Sequence, residues 1–504
     1  MASETVMERR RRRRVHLTPV RSVQVGFTGE RAGEGPLTFG QLNTYMWLSE
    51  TPDHAFANLR LELPVPAAVS VDDVAEVVRA LIARHESLRT AVVPGEPPRQ
   101  RIAAGGVQTL QVCELGEGEW GPRDRPAVAE ALVRWLRESA DPVWRAMRVA
   151  VAVAPDAGDR VIACAAGFAH LAVDHAALEI LKRDFADLLG PPVRRPVGRP
   201  GHQPLDQAEL EATPAEQRRA EAALAYLQEQ SRRIPRCLYA LPGARPSGES
   251  LAVELSSPAA APAVQRVAAR TRVGRSSIVL AAVCAVVARR AGYAELVFPL
   301  ISNNRFERHL AHYVGTLAMG SIATVEIAGQ SFDELVGRAW TAVLEAGRHA
   351  KYDGARRSAA DELIEHARGL RFNYDPFFNS LVPESRSGPA AGVALGPEEI
   401  DGALARSELT WRPMPSEATP IRFSLYQIDE RMRLDAWSAD TGLVPRAELE
   451  SVLLAVERLL VAAAHGDVPG ARMPEAIGLE PIAATPDRIL VDSCRVDVAD
   501  VQRL

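Results

Sequence analysis

Two stretches of the chain alternate between helical and strand patterns of apolar residues, and a punctuated stretch separates them. From Leu37 to Leu189, helical patterning appears in "VDDVAEVVRALIARHESLRT" (71 to 90) and "AVAEALVRWLRESA" (127 to 140). Strand patterning appears in "ANLRLELPV" (57 to 65), "WRAMRVAVAVA" (144 to 154) and "RVIACAAGF" (160 to 168). After this last run, Ala176, Leu178, Leu181 and Phe185 return at roughly helical spacing. The segment "GPPVRRPVGRPGHQPL" (190 to 205) is too dense in Pro and Gly to sustain either element and is the best boundary in the chain. A long polar helix is predicted from about Ala208 to Arg233, followed by strand "SLAVELSS", helices over 259–271 and 276–290, and strand "AELVFPLIS" (294 to 302). Further strands ("SIATVEIAG", "IRFSLYQID", "MRLDAWSAD") and the helices "SFDELVGRAWTAVLEAGRHA" and "VPRAELESVLLAVERLLVAAAHG" carry the pattern to Gly466. Such alternation predicts two lobes of α/β or α+β type, with no direct sequence repeat between them. The expected segments are a basic, flexible leader (1–35), a first lobe with its linker (36–206), a second lobe (207–466) and a strand-turn-helix appendage (467–504).

Composition narrows the function. With 504 residues, 47% of them hydrophobic, the chain exceeds one ordinary core. A net charge of -5 argues against wholesale nucleic-acid binding. Only Lys182 and Lys351 are lysines, so the arginine excess reads as coding bias rather than a binding device. The run from Arg9 to Arg14 is read as a solvated leader, since the apolar segment of a signal peptide does not follow it. No stretch reaches the ~18 to 20 apolar residues of a membrane span, and "SSIVLAAVCAVVARRAG" (276 to 292) reads as a core helix. Cys113, Cys164, Cys237, Cys284 and Cys494 are scattered without metal spacing, and Cys164 and Cys284 lie in apolar runs. Buried free thiols and a cytoplasmic location are expected.

Candidate chemistry concentrates in "GFAHLAVDHAALEILKRDF" (167 to 185), where His170, Asp174 and His175 fall at a strand-to-helix turn. A nucleophilic triad lacks its elbow, since no G-x-S-x-G occurs. A metal site lacks a second ligand cluster, so no metal is expected. What remains is a His acting on a proton of one bound substrate while that substrate attacks another. Asp174 would hold local geometry, by capping the helix or by pairing with a distant Arg. A purely structural turn, with Asp174 as an ordinary cap, accounts for the same residues.

Resemblance adds to this reading. "AHLAVDH" resembles the His-His-x-x-x-Asp-Gly signature of condensation domains in nonribosomal peptide synthesis. The same order of landmarks runs from Pro36 to about Gly466: "PLTFGQLNTYMWL" (36 to 48), "LIARHESLRTAV" (81 to 92), "PLISNNR" (299 to 305) with "YVGTLAMGSIATVEI" (313 to 327), "LRFNYDPF" (370 to 377) and "RLDAWSADTGLVPRAELESVLLAVERLL" (433 to 460). The match is closest to free-standing actinobacterial members, and no full adenylation or carrier domain is present.

The resemblance implies an α+β fold of two chloramphenicol-acetyltransferase-like lobes, a V-shaped pseudo-dimer with a central tunnel. It implies an acyltransferase forming an amide or ester between a carrier-bound acyl or aminoacyl thioester and an amine or alcohol, in secondary-metabolite (antibiotic) biosynthesis. No bound cofactor is implied; phosphopantetheine arrives on a partner acyl or peptidyl carrier protein, with neither nucleic acid nor membrane as partner. The signature's second His falls on His170, as base or as a group that positions the acceptor and stabilises the transition state. Its Asp falls on Asp174, with a structural role through a salt bridge for which Arg305 is the candidate partner and Arg308 the fallback. Ala169 replaces the first His and His175 the closing Gly, so the turn is expected to be rebuilt; both are candidates to line the tunnel, with solvent or packing the favoured place for His175. Asn373 either lines the tunnel or satisfies a buried strand. His85 and Arg89 are read as fold residues. The departures at Ala169 and His175 leave open a non-catalytic platform that binds carrier proteins or recruits a tailoring enzyme, or acyl transfer between soluble thioesters and a small alcohol.

Overall fold

The computed structural model describes residues 15–482, 488–491 and 494–498, apart from 51–56, 67, 118–119, 122, 139–145, 156–157, 191–200, 235–238, 240, 242–243, 373–376, 383–394 and 415–420. The run Arg9 to Arg14 and Asn373 therefore lie outside the described residues. The chain divides into two compact units, Met1–Thr213 with Arg305–Leu317, and Pro214–Asn304 with Ala318–Leu504.

In the first unit the elements are β1 (Leu17–Thr28), β2 (Gly33–Pro36), α1 (Phe39–Glu50), β3 (Leu59–Leu63), α2 (Val71–Arg84), β4 (Thr90–Val93), β5 (Arg99–Ile102), β6 (Gly105–Leu115), α3 (Arg125–Glu138), β7 (Met147–Val153), β8 (Val161–Phe168), α4 (His175–Leu189) and α5 (Pro204–Glu211). Among the described residues, β1-β6-β7-β8-β3 form one sheet, antiparallel except where β6 meets β7, and β2-β5-β4 a smaller one. Helices α2 and α4 contribute Val74, Val78, Leu81, Leu178, Leu181 and Phe185 to a core with Val149, Val151, Cys164, Ala166 and Phe168. The alternate residues of the same strands, Ala150, Ala152, Ala163 and Ala165, pack with Val128, Leu132 and Leu136 of α3. Strands β7 and β8 are thus covered on both faces, which is why they read as continuous apolar runs. Each Leu or Phe so buried contributes about 1.5–3 kcal/mol, enough to fix where β8 ends and α4 begins.

The second unit comprises α6 (Pro214–Arg233), β9 (Leu251–Ser257), α7 (Ala260–Thr271), α8 (Arg275–Ala291), β10 (Glu295–Ser302), β11 (Met319–Glu326), α9 (Phe332–Arg348), α10 (Gly354–Arg368), β12 (Phe377–Ser380), α11 (Pro397–Ala403), β13 (Glu408–Pro413), β14 (Ile421–Ile428), β15 (Met432–Ser438), α12 (Arg446–His465), α13 (Met473–Ile477), β16 (Arg488–Val491) and β17 (Cys494–Asp497). Its main sheet runs β11-β10-β12-β14-β15-β9-β13, with β12 parallel to both neighbours. Helix α8 is buried without a break from Ser276 to Ala288, which accounts for its all-round apolar sequence. No single described helix is long and apolar enough to cross a membrane. Cys113, Cys164 and Cys284 are buried free thiols.

Several expectations need correction. Residues 17–28, inside the segment read as a flexible leader, form β1, paired along its length with β6. Most of its side chains stay exposed, so an edge strand left little apolar alternation to read. The first unit extends to Thr213, past the boundary set at 206, and also takes Arg305–Leu317 from between two strands of the second. The helix expected over 208–233 is two, α5 and α6, because Pro214 supplies no N–H and disfavours helical backbone at Thr213. The segment after 466 is no separate appendage at its start, since Val468, Met473 and Ile477 join the core of the second unit. Residues 488–497 are an antiparallel hairpin, β16 with β17, and the end of the chain where the helix is expected, 499–504, lies outside the described residues.

Candidate active site

Strand β8 ends at Phe168, which pairs with Met147 of β7 and Leu59 of β3. The Ala169 amide continues to the Ala146 carbonyl, and the chain then tightens as the Ala172 and Val173 amides donate back to the Ala169 carbonyl. Ala172 and Val173 enter the core beneath. This turn presents His170 between a completed sheet and the start of α4. Ala169 is buried and lines a small cleft with Gln41, Thr90, Val92, Ala146, Leu171 and Ala172.

Asp174 fills both roles considered for it, one with each oxygen. Its Oδ1 accepts from the Ala177 amide at 2.9 Å, capping α4. Its Oδ2 accepts from Arg305 Nη1 at 2.7 Å and from the Leu317 amide at 2.9 Å. Arg305 also donates from Nη2 to the Gly315 carbonyl at 3.0 Å. A carboxylate only 1% exposed therefore ties the turn to the 305–317 segment. Thr316 adds a second tie, its Oγ1 donating to the His170 carbonyl. Helix α1 closes from the other side, where Gly40 lies so near the Thr316 carbonyl that a Cβ would sit 2.3 Å from its oxygen. Only glycine permits that approach.

Burial would raise Asp174, but the Arg305 charge and the donated hydrogen bonds hold it below the usual carboxylate range, so it is ionised. Burial lowers the His170 imidazole; a hydrogen bond to its own backbone and then the charge of Asp174 offset this only in part, so the ring is neutral near pH 7. His170 Nδ1 is buried and meets no hydrogen-bonding group of another residue, leaving Nε2 as the nitrogen open to a bound molecule. The Trp47 indole stands nearly perpendicular to this ring, at 79° and 5.8 Å between centroids. His175 opens α4 with an exposed side chain, so water shares in solvating its charge. Desolvation on its protein side, with His170 nearby, still takes its imidazole down to about 4.

Arg308 starts a short 3-10 turn and is exposed; the described partner of Asp174 is Arg305. His85 and Arg89 are buried in a network that holds the fold. His85 Nε2 meets Asp184 at 3.0 Å, and Arg89 donates to the carbonyls of Arg31 and Ala103. Among the described residues, no group of three or more His, Cys, Asp or Glu is arranged to hold a metal ion. Thr316, Leu317, Gly40 and Trp47 escape a sequence reading. Each acts through a contact distant in the chain; the motifs "PLTFGQLNTYMWL" and "YVGTLAMGSIATVEI" contain two of them each but do not show what they touch.

A neutral, partly buried histidine at the end of a strand, on a turn fastened by a charged pair, has the chemistry to take up or orient a proton, and the scaffold that carries it is α+β. A family model described as "Condensation domain" matches residues 31–356, and the chain belongs to that family, whose members are generally acyltransferases. No curated protein matches the chain. Among solved structures, the condensation domain that mediates chain release from the enacyloxin polyketide synthase is 19% identical, with a TM-score of 0.64 over 91% of this chain and 85% of its own. SgcC5 from Streptomyces globisporus is 18% identical, with a TM-score of 0.62 over 86% of this chain and 100% of its own. The first condensation domain of the calcium-dependent antibiotic synthetase, solved with a substrate analogue, is 17% identical, with a TM-score of 0.57 over 86% of this chain and 96% of its own.

Proposed function

We propose that this protein joins a carrier-borne acyl or aminoacyl thioester to an amine or alcohol in secondary-metabolite biosynthesis, with His170 as the group that handles the acceptor's proton. The observation that supports this most is the neutral His170 with Nε2 open, at a turn fastened by Asp174, Arg305 and Thr316, in a member of the condensation-domain family. In this reading the neutral ring carries its proton on Nδ1 and offers the Nε2 lone pair. The acceptor N–H or O–H meets Nε2, its N or O attacks the thioester carbon, and the C–S bond breaks as the new C–N or C–O bond forms. The proton taken by His170 passes to the departing thiolate. Asp174, already committed to three donors, takes no proton in this scheme; it holds the loop. Thioester aminolysis is downhill, so placing both substrates at His170 supplies most of the acceleration. The phosphopantetheine arm is part of the substrate, brought by an acyl or peptidyl carrier protein in the cytoplasm.

A second reading, a platform that binds carrier proteins without catalysis, is favoured by Ala169 where the signature has its first His and His175 where it has Gly. Metabolite profiles of the encoding organism separate the two: wild type, full deletion and His170→Ala, with mutant protein level and melting temperature measured alongside. The acyltransferase reading requires deletion and His170→Ala to lose the same product while the variant stays folded. A product that deletion loses and His170→Ala still makes would establish the platform.

A further inference from the structure

Three arginines meet on one face of the first unit's sheet, near the end of β8. Arg60 of β3 and Arg148 of β7 are both register partners of Gly167 in β8. Their side chains therefore share the face that carries Ala150 and Ala165 toward α3, opposite to Phe168 and the core beneath α2 and α4. Neighbouring strands lie about 4.8 Å apart, so the two arginines rise about 10 Å from one another with a glycine between them. Arg137 joins them from the last turn of α3. Burial, and then the charges of Arg137 and Arg148, push the half-buried Arg60 guanidinium down to about 10. It stays charged near pH 7, in surroundings that on balance oppose its charge.

Packing accounts for part of this. Arg148 donates from Nη1 to the Leu136 carbonyl at 2.9 Å, near the C-terminus of α3 where a cation is favoured, and Arg60 donates from Nη1 to the Asn58 carbonyl at 2.9 Å. One arginine suffices for that end of the helix. Three held together, two of them half-buried, repel one another, and the carbonyls do not explain why they gather. Nor does the backbone explain Gly167. Among the described residues a Cβ there would meet only the Leu59 carbonyl oxygen, at 3.9 Å, an ordinary contact, and its φ is not left-handed. What glycine provides is a floor without a side chain between two guanidinium stems. Guanidinium is planar, charged and shaped for two parallel hydrogen bonds to a carboxylate or phosphate. Gly167 lies three residues before His170, so their Cα atoms are within about 11 Å.

We infer that Arg60, Arg137 and Arg148, over the floor at Gly167, bind an oxyanion carried by one of the substrates. The inference rests on the acyl-transfer reading for the identity of those substrates, which offer two sources: the phosphate of the carrier's phosphopantetheine arm, or a carboxylate on the acceptor. Calorimetric titration of the full-length protein at low ionic strength compares matched probes, pantetheine 4′-phosphate against pantetheine and glycine against glycinamide. The member of one pair that bears the oxyanion binds about 10- to 100-fold more tightly than its counterpart, as charge-assisted hydrogen bonds to arginine require, and that pair identifies the source. The margin disappears in Arg60→Gln and Arg148→Gln and shrinks in Arg137→Gln. Gly167→Val keeps every arginine and removes the margin by filling the floor; Gly167→Ala, the milder change, reduces it. Without ligand, Arg60→Gln melts at or above the wild-type temperature, because one repelling charge is gone.

Equal affinities within both pairs in the wild type overturn the inference, and so does a margin that survives in folded Arg60→Gln or Arg148→Gln. A lower melting temperature of ligand-free Arg60→Gln marks that arginine as structural and overturns it too. If the margin behaves as expected but His170→Ala still makes product, the oxyanion site stands and the acyl-transfer reading falls.

Discussion

Removing the carboxylate of Asp174 tests whether a charged pair holds the site together. Asp174 and Arg305 have side chains 1% and 9% exposed, and their atoms lie 2.7 Å apart. Asp174→Ala takes from the buried guanidinium the carboxylate it pairs with at 2.7 Å, which costs about 3–5 kcal/mol, with the α4 cap included at about 1 kcal/mol of it. For a unit of this size each kcal/mol is worth roughly 2–4 °C, so the melting temperature should fall by about 10–15 °C. Asp174→Asn keeps an oxygen for the Ala177 amide and should lose about 2–3 kcal/mol. Arg305→Met exposes the converse fault, a buried carboxylate without its cation. The double variant Asp174→Asn with Arg305→Met should be more stable than the sum of the singles by at least ~2 kcal/mol. The sign with pH follows from the direction of the shift. Because the folded state holds Asp174 below its unfolded value, the stabilisation is complete above about pH 4 and fades as pH falls through the lower folded value. Calorimetry of the wild type and the four variants from pH 8 to 3 checks both statements. A loss under ~1 kcal/mol in Asp174→Ala, or singles that simply add, would refute the reasoning.

Three further outcomes follow from the same geometry. His85 is buried and held below its ordinary value chiefly by desolvation, and His170 is shifted the same way, so only the unfolded chain protonates them below about pH 6.5. Urea stability should therefore be lower at pH 5.5 than at 7.5, by up to about 1.4 kcal/mol per pH unit for each imidazole, and equal values would contradict the assignment. Gly40→Ala, which in an open helix would gain about 1 kcal/mol, should instead cost about 1–3 kcal/mol because its Cβ meets the Thr316 carbonyl; a raised melting temperature would show that α1 does not press on that segment. Thr316→Val leaves the His170 carbonyl without its donor and should cost about 1–2 kcal/mol and lower kcat more than it raises KM, with Thr316→Ser restoring both. Val and wild type alike in melting and turnover would remove Thr316 from the site.

How much of this could be read from the chain depends on how far apart the cooperating residues lie. The apolar runs of β7 and β8 and the spacing of α4 are local patterns, and they suffice to place His170 and Asp174 at a strand-to-helix turn. Edge strand β1 is misread because most of its side chains face water, and the break before α6 is missed although Pro214 marks it plainly. The cap on α4 is legible because Asp174 and Ala177 are three residues apart. The ordered motifs point to Arg305 as partner; its reach across 131 residues is a tertiary fact.

The sequence by itself determined the elements, the two-part organisation and the residue types at the turn, since hydrophobic periodicity, proline and capping act within a few residues. Tertiary structure decided how that turn becomes a site. Segment 305–317 leaves the strands of the second unit to pack with the first, bringing Arg305, Thr316 and Leu317 to Asp174 and His170. Helix α1 brings Trp47 to the imidazole and Gly40 to the segment that fastens it. Burial then sets the charges: the partners of Asp174 outweigh it and keep the carboxylate ionised, whereas at His170 burial outweighs them and keeps the imidazole neutral. Desolvation and long-range contact are properties of the packed chain, so no local pattern records them.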